Sequence, residues 1–337
     1  MRSNGFFPIA LALAFMVPVS ARADEAKDQP AEDEVVPEGL VEETSVGQTV
    51  AETAYPGWRY PKAYAQRPLV MEKYMARGTF SVDARRVSLQ SVSGVNETVV
   101  ALDFGAAFAP SDNVEVGISN YRLASSPPIA GHGFFPIIVS PNGGFGDMPA
   151  YVRYSFLHHR YVEMGFDFVF VIPSRTRFAT TYGLPVRIRA RPKVTIDTGM
   201  EFTVLVENVG ANVVLPVKGV FNITPAGFVF GESGVSFENL GRSNVDVIGS
   251  PLSVGDSNVT FPVAKNQVFV PVSVGGGYTI GIKGKVIMDF YARFGWNPLV
   301  YLNPPTGVDV VPVKDTWFLG VGTIVQSRRV IEKKKGD

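Results

Sequence analysis

Apolar and polar side chains alternate along much of the chain, most clearly in residues 151–173. Val152, Tyr154 and Phe156 occupy every second position, and after a turn at residues 158–160 the same alternation continues through Phe170. Because successive Cβ atoms on a strand point to opposite faces, a period of two predicts strands and not helices. We therefore expect a long antiparallel hairpin with one apolar, aromatic face and one polar or glycine-containing face.

This alternation recurs over residues 79–326 and predicts about twelve strands. The connections between them alternate between tight turns and long loops rich in Gly, Pro and Asn. The tight turns lie at residues 110–113, 158–160, 191–193 and 224–226, and the long loops include residues 91–97, 124–147, 173–183, 238–266 and 297–315. Short turns at one end of a sheet and long loops at the other are typical of outer-membrane barrels.

A soluble β-sandwich is the alternative fold, since its strands also alternate between core and solvent. Strands of soluble proteins average about 5–6 residues, whereas most of the predicted strands reach the roughly 9–11 residues that a membrane-spanning strand needs. Glycine also recurs on the polar face, for example at Gly165, Gly275 and Gly277, where a small residue relieves crowding inside a narrow barrel. We predict an all-β fold, a closed antiparallel up-and-down transmembrane β-barrel, over residues 79–326.

The first 23 residues have the pattern of an export signal. Arg2 is followed by an apolar run over residues 6–19 and by the small-x-small sequence Ala21-Arg22-Ala23, which is typical of a cleavage site. A permanent anchor is the alternative, but the run is shorter than the roughly 20 residues that span a bilayer as a helix. We expect a signal peptide over residues 1–23.

Two segments of opposite character precede the predicted barrel, and a third follows it. Residues 24–53 are acidic and contain no aromatic residue, so they predict a disordered linker, since like charges repel and little apolar surface is available to bury. Residues 54–78 are basic and rich in Tyr, Trp and Pro, which fits either a plug or a lead-in across the base of the barrel. Residues 327–337 form a basic C-terminal tail.

Composition excludes several classes of function. Lys and Arg total 31 against 31 for Asp and Glu, so no nucleic-acid partner is predicted. The chain contains no cysteine, which excludes thiolate metal sites, cysteine nucleophiles and disulfides. No cofactor is predicted.

Together with the predicted export signal, the long amphipathic strands and the aromatics near strand ends, at Phe156, Phe170, Trp296 and Trp317, resemble those of bacterial outer-membrane β-barrel proteins of the porin and small-molecule-transporter group. The resemblance implies residence in the outer membrane of a Gram-negative-type bacterium after removal of the signal peptide. It implies contact with outer-membrane lipid and assembly by the barrel-assembly machinery. The chain departs from the usual pattern because it continues beyond the last strand as SRRVIEKKKGD.

Charged residues on the polar face are predicted to line the lumen. They are Asp83, Asp103, Glu115, Arg153, Glu163, Asp167, Arg187, Arg189, Asp197, Glu201, Lys218, Asp289 and Arg293. If neighbouring hairpins pair, Arg187 and Arg189 can face Glu163 and Asp167, with Arg153 on the other side. Isolated charges in a narrow lumen are costly, so ion-paired networks are expected.

These residues support more than one function. Passage of small polar solutes through a mixed-charge lumen is the leading hypothesis. A closed barrel filled with ion pairs, with a structural or a surface-binding role like that of an adhesin or receptor, is the alternative. A rim-located hydrolase is less favoured, because His132, His158 and His159 are the only histidines and no spacing indicates a triad or a third metal ligand. We therefore predict that the protein is not an enzyme.

Overall fold

The computed structural model describes residues 60–89, 95–118, 137–140, 144–145, 148–172, 179–205, 210–240, 266–282, 286–303 and 312–328. The predicted signal peptide and acidic linker lie outside the described residues, as do His132 and most of residues 124–147. The same is true of the C-terminal tail beyond Arg328. Among the described residues, no helix is long and apolar enough to cross a membrane.

The described residues form strands and two single turns of 3-10 helix. The strands are β1 (Met75–Leu89), β2 (Val95–Ser111), β3 (Val114–Ile118), β4 (Ile137–Ser140), β5 (Gly144–Phe145), β6 (Met148–His158), β7 (Val162–Ile172), β8 (Ala179–Arg191), β9 (Val194–Leu205), β10 (Gly210–Asn222), β11 (Gly227–Leu240), β12 (Gln267–Ile282), β13 (Val286–Asn303) and β14 (Trp317–Arg328), and the helical turns are Tyr64–Gln66 and Val313–Asp315.

The sheet closes on itself. Neighbouring strands pair antiparallel in the order β1, β14, β13 and so on down to β6, then β3 and β2, and β2 pairs again with β1. This circuit contains twelve strands, so the predicted closed antiparallel barrel is confirmed. The architecture agrees with the resemblance to bacterial outer-membrane β-barrel proteins.

One predicted loop contains strand structure. Within residues 124–147, β4 pairs with residues Val100–Leu102 of β2, and β5 pairs with β4. The reason lies in the unequal lengths of β2 and β3, which have 17 and 5 residues. The short β3 leaves part of the edge of β2 unpaired, and the β-branched run in β4 supplies the missing hydrogen bonds.

The apolar side of the alternation faces outward and the polar side faces the barrel interior. On β6, the Phe156 side chain is 51% exposed whereas Arg153, on the opposite face, is 1% exposed. Trp317 begins β14, as predicted, whereas Trp296, its direct partner in register, lies inside β13 and not near an end of that strand. A closed sheet with an apolar exterior is the form that a β-sheet takes in hydrocarbon, because no edge N–H or C=O group is left without a partner.

Glycine makes room for large side chains inside the barrel. A Cβ on Gly277 would lie 2.4 Å from the Phe228 ring, and one on Gly275 would lie 2.3 Å from the Phe230 ring. Both rings are buried and project inward from β11. Glycines on β12 therefore allow an aromatic cluster to lie against the inner wall.

Candidate functional site in the barrel interior

Most of the charged residues predicted to line the lumen are buried on the inner face. The buried residues are Asp83, Glu115, Arg153, Glu163, Asp167, Arg187, Asp197, Lys218, Asp289 and Arg293. Asp103, Arg189 and Glu201 are half-buried. The interior is therefore rich in charge, and the arrangement of its ion pairs decides what it can do.

Two arginines form forked ion pairs with aspartates directly opposite them on the next strand. Arg153 donates from Nε and Nη2 to the two carboxylate oxygens of Asp167, both at 2.7 Å. Arg187 donates in the same way to Asp197, at 2.6 and 2.7 Å. Parallel paired hydrogen bonds of this type are the strongest and most directional that arginine makes.

Further pairs continue around the wall. Lys218 Nζ lies 2.8 Å from Glu232, and Arg189 lies 2.5 Å from Glu163. The ion pairs Arg293–Asp83, at 2.6 Å, and Arg77–Glu115 complete this group. The barrel strands thus neutralise most of their own buried charge, as burial of ions requires.

The expected facing of Arg187 and Arg189 toward Glu163 and Asp167 holds only in part. Arg189 pairs with Glu163, but Arg187 pairs with Asp197, and Asp167 pairs with Arg153. The reason is register: Arg187 has Glu163 on one side and Asp197 on the other. Its guanidinium forms the forked pair with Asp197, and Glu163 bonds to the neighbouring arginine.

Residues 60–74, which we call the inner segment, lie inside the barrel close to its short turns. Leu69 is 0% exposed and Arg67 is 2% exposed. The backbone N–H of Lys73 donates to Asp112 at 2.8 Å, and that of Tyr74 donates to the Ala109 carbonyl at 2.7 Å. The segment thus leads directly into β1, which begins four residues earlier than the predicted barrel.

The wall binds the backbone of the inner segment through its charged side chains. Arg187 donates from Nη1 to the carbonyl oxygens of Arg67 and Pro68, at 2.6 and 3.0 Å. Arg153 donates from Nη1 to the Leu69 carbonyl at 3.2 Å. Each arginine therefore holds its own aspartate with two nitrogens and the inner segment with the third.

Carboxylates bind the N–H groups of the same backbone. The N–H of Leu69 donates to Glu163 at 2.5 Å, and that of Met71 donates to Glu115 at 3.3 Å. At Ala65, the N–H donates to the Asn222 side chain at 2.7 Å, and the carbonyl accepts from the Thr195 hydroxyl. The inner segment is therefore held along most of its length. Its partners lie on β10, β9, β8, β7, β6 and β3 and in the β2–β3 turn.

The Arg67 side chain reaches across to β12 and β13. Its Nη1 and Nη2 donate to the two oxygens of Asp289, and Nη2 lies 3.4 Å from the Thr279 hydroxyl. Burial lowers the pKa of Arg67, but the charge and hydrogen bonds of Asp289, together with Tyr60 and Tyr64, raise the pKa above its ordinary value. The guanidinium also lies over the rings of Tyr60 and Tyr64, at 5.9 and 4.9 Å from their centroids. Arg67 is therefore a fixed cation in the barrel interior.

Aromatic packing holds the other end of the inner segment. The ring of Tyr64 stacks on Phe228 with centroids 4.5 Å apart. The cavity beside this pair, which Lys218, Tyr291 and Ile324 also line, has room for about one water molecule. Tyr60 is buried as well, and burial raises its pKa to about 12. With the inner segment in place, this part of the lumen is filled.

Several site residues were not among those predicted from the sequence. They are Arg67, Arg77, Glu232, Thr279 and Tyr151, whose hydroxyl accepts from Arg77 at 2.9 Å and donates to Glu115 at 2.6 Å. Arg77 shares the parity of Asp83 on β1, and Thr279 shares that of Gly275 and Gly277, so extension of the alternation to the strand ends would have found both. Arg67 lies in a segment with no periodicity, and no comparable pattern marks it.

The two histidines within the described residues lie together at one turn. His158 and His159 are exposed at the short connection between β6 and β7. Across the described part of the chain, no group of three or more His, Cys, Asp or Glu side chains could hold a metal ion.

No protein-family model matches the chain, and no curated protein matches it in sequence. Among solved structures, an outer-membrane channel from Pseudomonas putida F1 has 10% identity and a TM-score of 0.48, with 76% of this chain and 97% of that chain covered. The NanC porin has 7% identity and a TM-score of 0.39, over 74% and 100% of the two chains. The outer-membrane channel DcaP of Acinetobacter baumannii has 9% identity and a TM-score of 0.33, over 75% and 95%. Identities this low establish no correspondence between individual residues.

Proposed function

We propose that the protein is an outer-membrane channel for small polar solutes whose lumen is closed near its short turns by the inner segment. The observation that carries this proposal is the way residues 60–74 are held. Their backbone is bound by polar side chains of the wall, through hydrogen bonds that water can replace. The outward apolar face supports residence in a bilayer, with lipid as the surrounding partner.

Barrel dimensions support a passage once the inner segment leaves. Twelve strands spaced about 4.8 Å apart and tilted about 40° close into a cylinder with a backbone radius of about 12 Å. Inward side chains occupy about half of that radius, which leaves a space about 12 Å wide, slightly more than the roughly 10 Å between packed sheets. A chain that fills such a space leaves a water-filled path of similar width when it moves out.

The wall does not depend on the inner segment for most of its charge pairing. Arg153–Asp167, Arg187–Asp197 and Lys218–Glu232 are all formed between barrel strands. These pairs persist when residues 60–74 are displaced, so the barrel keeps its shape and a lumen of mixed charge. Such a lumen admits polar solutes of either sign and selects mainly by size.

A closed barrel with a structural or surface-binding role is the second candidate function. The same filling by residues 60–74 favours it, because the interior near the short turns leaves little free space. The two functions differ in one respect: a channel requires the inner segment to move, and a closed barrel does not.

A reversible crosslink between the segment and the wall tests the channel. The chain has no cysteine, so Ala65→Cys with Thr195→Cys, residues whose backbone and side chain are hydrogen-bonded, introduces one possible disulfide. We expect single-channel steps in planar bilayers under reducing conditions and their loss after oxidation, with disulfide formation checked by thiol titration. Absence of steps from wild-type protein and from the reduced variant would refute the channel.

A matched control separates movement of the inner segment from general stiffening. Gly219 and Gly231 are direct partners on β10 and β11, and a Cβ on either meets nothing within 4 Å. The variant Gly219→Cys/Gly231→Cys therefore crosslinks the outer wall without touching residues 60–74. The single-channel steps of this variant should be the same before and after oxidation. Equal steps in the oxidised Ala65→Cys/Thr195→Cys protein would show that solutes pass without movement of the segment.

A further inference from the structure

We propose that the Asp289 carboxylate, with the Thr279 hydroxyl beside it, is a binding site for guanidinium-type organic cations that Arg67 occupies while the inner segment is in place. Asp289 is 0% exposed, and Arg67 binds both of its oxygens. Thr279, its direct partner in register on β12, donates to Oδ1 at 2.7 Å. The site is complete apart from the cation, which the inner segment supplies.

Asp289 differs from the ion-paired carboxylates of the wall in the origin of its cation. Asp167 and Asp197 are paired with arginines on neighbouring barrel strands, and Glu232 is paired with Lys218. Those cations remain when the inner segment moves out. The Arg67 guanidinium leaves with the segment, and a buried carboxylate without its cation is unfavourable until another cation replaces it.

The geometry favours a planar cation over a metal ion or an ammonium. Both carboxylate oxygens receive the guanidinium as a fork, an arrangement that a planar donor set matches and a spherical ion does not. Guanidinium is also more weakly hydrated than ammonium, so its transfer into the barrel costs less. Arg67 thus acts as a tethered copy of the ligand.

This site gives the proposed channel a preference, and that part of the inference rests on the proposed function. With Asp289 freed, the open lumen holds a fixed negative charge, which raises the local concentration of cations over anions. Organic cations with a guanidinium group bind there and slow their own passage. The binding step itself requires no conduction, so it can be tested separately.

Binding is tested on the full chain in detergent by calorimetric titration with methylguanidinium chloride. Arg67→Ala vacates the site, and we expect methylguanidinium to bind this variant about 10- to 100-fold more tightly than it binds wild type, the factor for charge-assisted hydrogen bonds. Arg67→Ala/Asp289→Asn should lose this gain, and methylammonium should bind Arg67→Ala less tightly than methylguanidinium. Equal affinities in all three proteins, or equal binding of the two ligands, would overturn the site. Arg67→Gln, which keeps more of the side-chain volume, replaces Arg67→Ala if circular dichroism shows that the latter does not fold.

Conduction is tested by the reversal potential in a potassium chloride gradient. Arg67→Ala should favour potassium over chloride at least threefold more than Arg67→Ala/Asp289→Asn does. Equal selectivity in the two variants would refute Asp289 as the source of the preference while the channel stands. If neither wild type nor Arg67→Ala shows channel steps, but Arg67→Ala still binds methylguanidinium, the proposed function is refuted and the cation site is supported.

Discussion

Replacement of Arg67 by methionine is the sharpest test of how the inner segment is held. Arg67 is 2% exposed, bonds to both oxygens of Asp289, and donates from Nη2 to the Lys62 carbonyl at 3.0 Å. Arg67→Met keeps most of the apolar stem but leaves a buried carboxylate without its cation. Removal of one partner of a buried ion pair costs about 3–5 kcal/mol, which favours the displaced segment by a factor of about 100 to 5,000.

Hydrogen exchange measured by mass spectrometry reports this change directly. The N–H groups of Leu69 and Met71 are bound only while the inner segment is in place, so their exchange follows the fraction of time that it is displaced. Peptides covering residues 65–73 should exchange at least about 100-fold faster in Arg67→Met than in wild type. Peptides from β8 should be unchanged, because β8 is paired through its backbone with β7 and β9 and not with the inner segment.

Two controls make the result specific to the ion pair. Arg86→Met removes an arginine that lies 3.9 Å from Asp315 and is 29% exposed, and pairs of that kind contribute about 0–1 kcal/mol, so exchange of residues 65–73 should not change. Arg67→Met/Asp289→Leu removes both charges and should exchange about tenfold more slowly than Arg67→Met, since loss of both partners costs less than loss of one. Acceleration below threefold in Arg67→Met would refute the assignment of Arg67 as the main anchor.

Three further predictions concern the wall and the buried phenol. Lys218→Met should lower the free energy of unfolding by about 3–5 kcal/mol because it strands the buried Glu232 carboxylate; a chemical denaturation midpoint equal to that of wild type would contradict this. Gly277→Ala should cost about 1–3 kcal/mol in the same assay because its Cβ meets a ring carbon and a carbonyl oxygen at 2.4 Å, whereas Gly231→Ala, with nothing within 4 Å, should be neutral. Tyr60, with its pKa raised to about 12 from 10.0, should contribute stability that is fully present below pH 10 and lost as pH rises through about 12. Thermal unfolding at pH 9, 11 and 12 should show a smaller loss in Tyr60→Phe, and equal losses in both proteins would contradict the burial of this phenol.

The barrel could be predicted from the sequence because one rule governs each strand. Lipid on one side and a polar interior on the other impose a strict period of two, so Phe156 and Arg153 reveal their faces by parity alone. Parity also predicted the interior position of Asp289. Parity does not determine which residues of neighbouring strands lie opposite each other, so it could not distinguish Asp197 from Glu163 as the ion-pair partner of Arg187. That choice depends on register, which is set by neighbouring strands and turns.

The inner segment and β4 could not be predicted in the same way. Residues 60–74 form no strand, and their placement depends on side chains from β6 to β10 that are distant from them in sequence. β4 is four residues long and forms because β3 ends early along β2. Both features depend on contacts between residues distant in sequence, which the period of the alternation does not report.

The distribution of donors on the wall arginines is the one that the proposed movement of the inner segment requires. Arg153 and Arg187 each donate from Nε and Nη2 to the aspartate on the next strand. Only Nη1 donates to the inner segment. Displacement of the segment frees Nη1 of each arginine, which donates to one carbonyl from Arg153 and to two from Arg187, and water entering the lumen can bind these N–H groups at little cost. An apolar side chain in their place would fill the space at least as stably, so stability alone does not explain this arrangement. The cost of opening is concentrated at Arg67 and Asp289, and a cation able to replace Arg67 at that carboxylate would lower it.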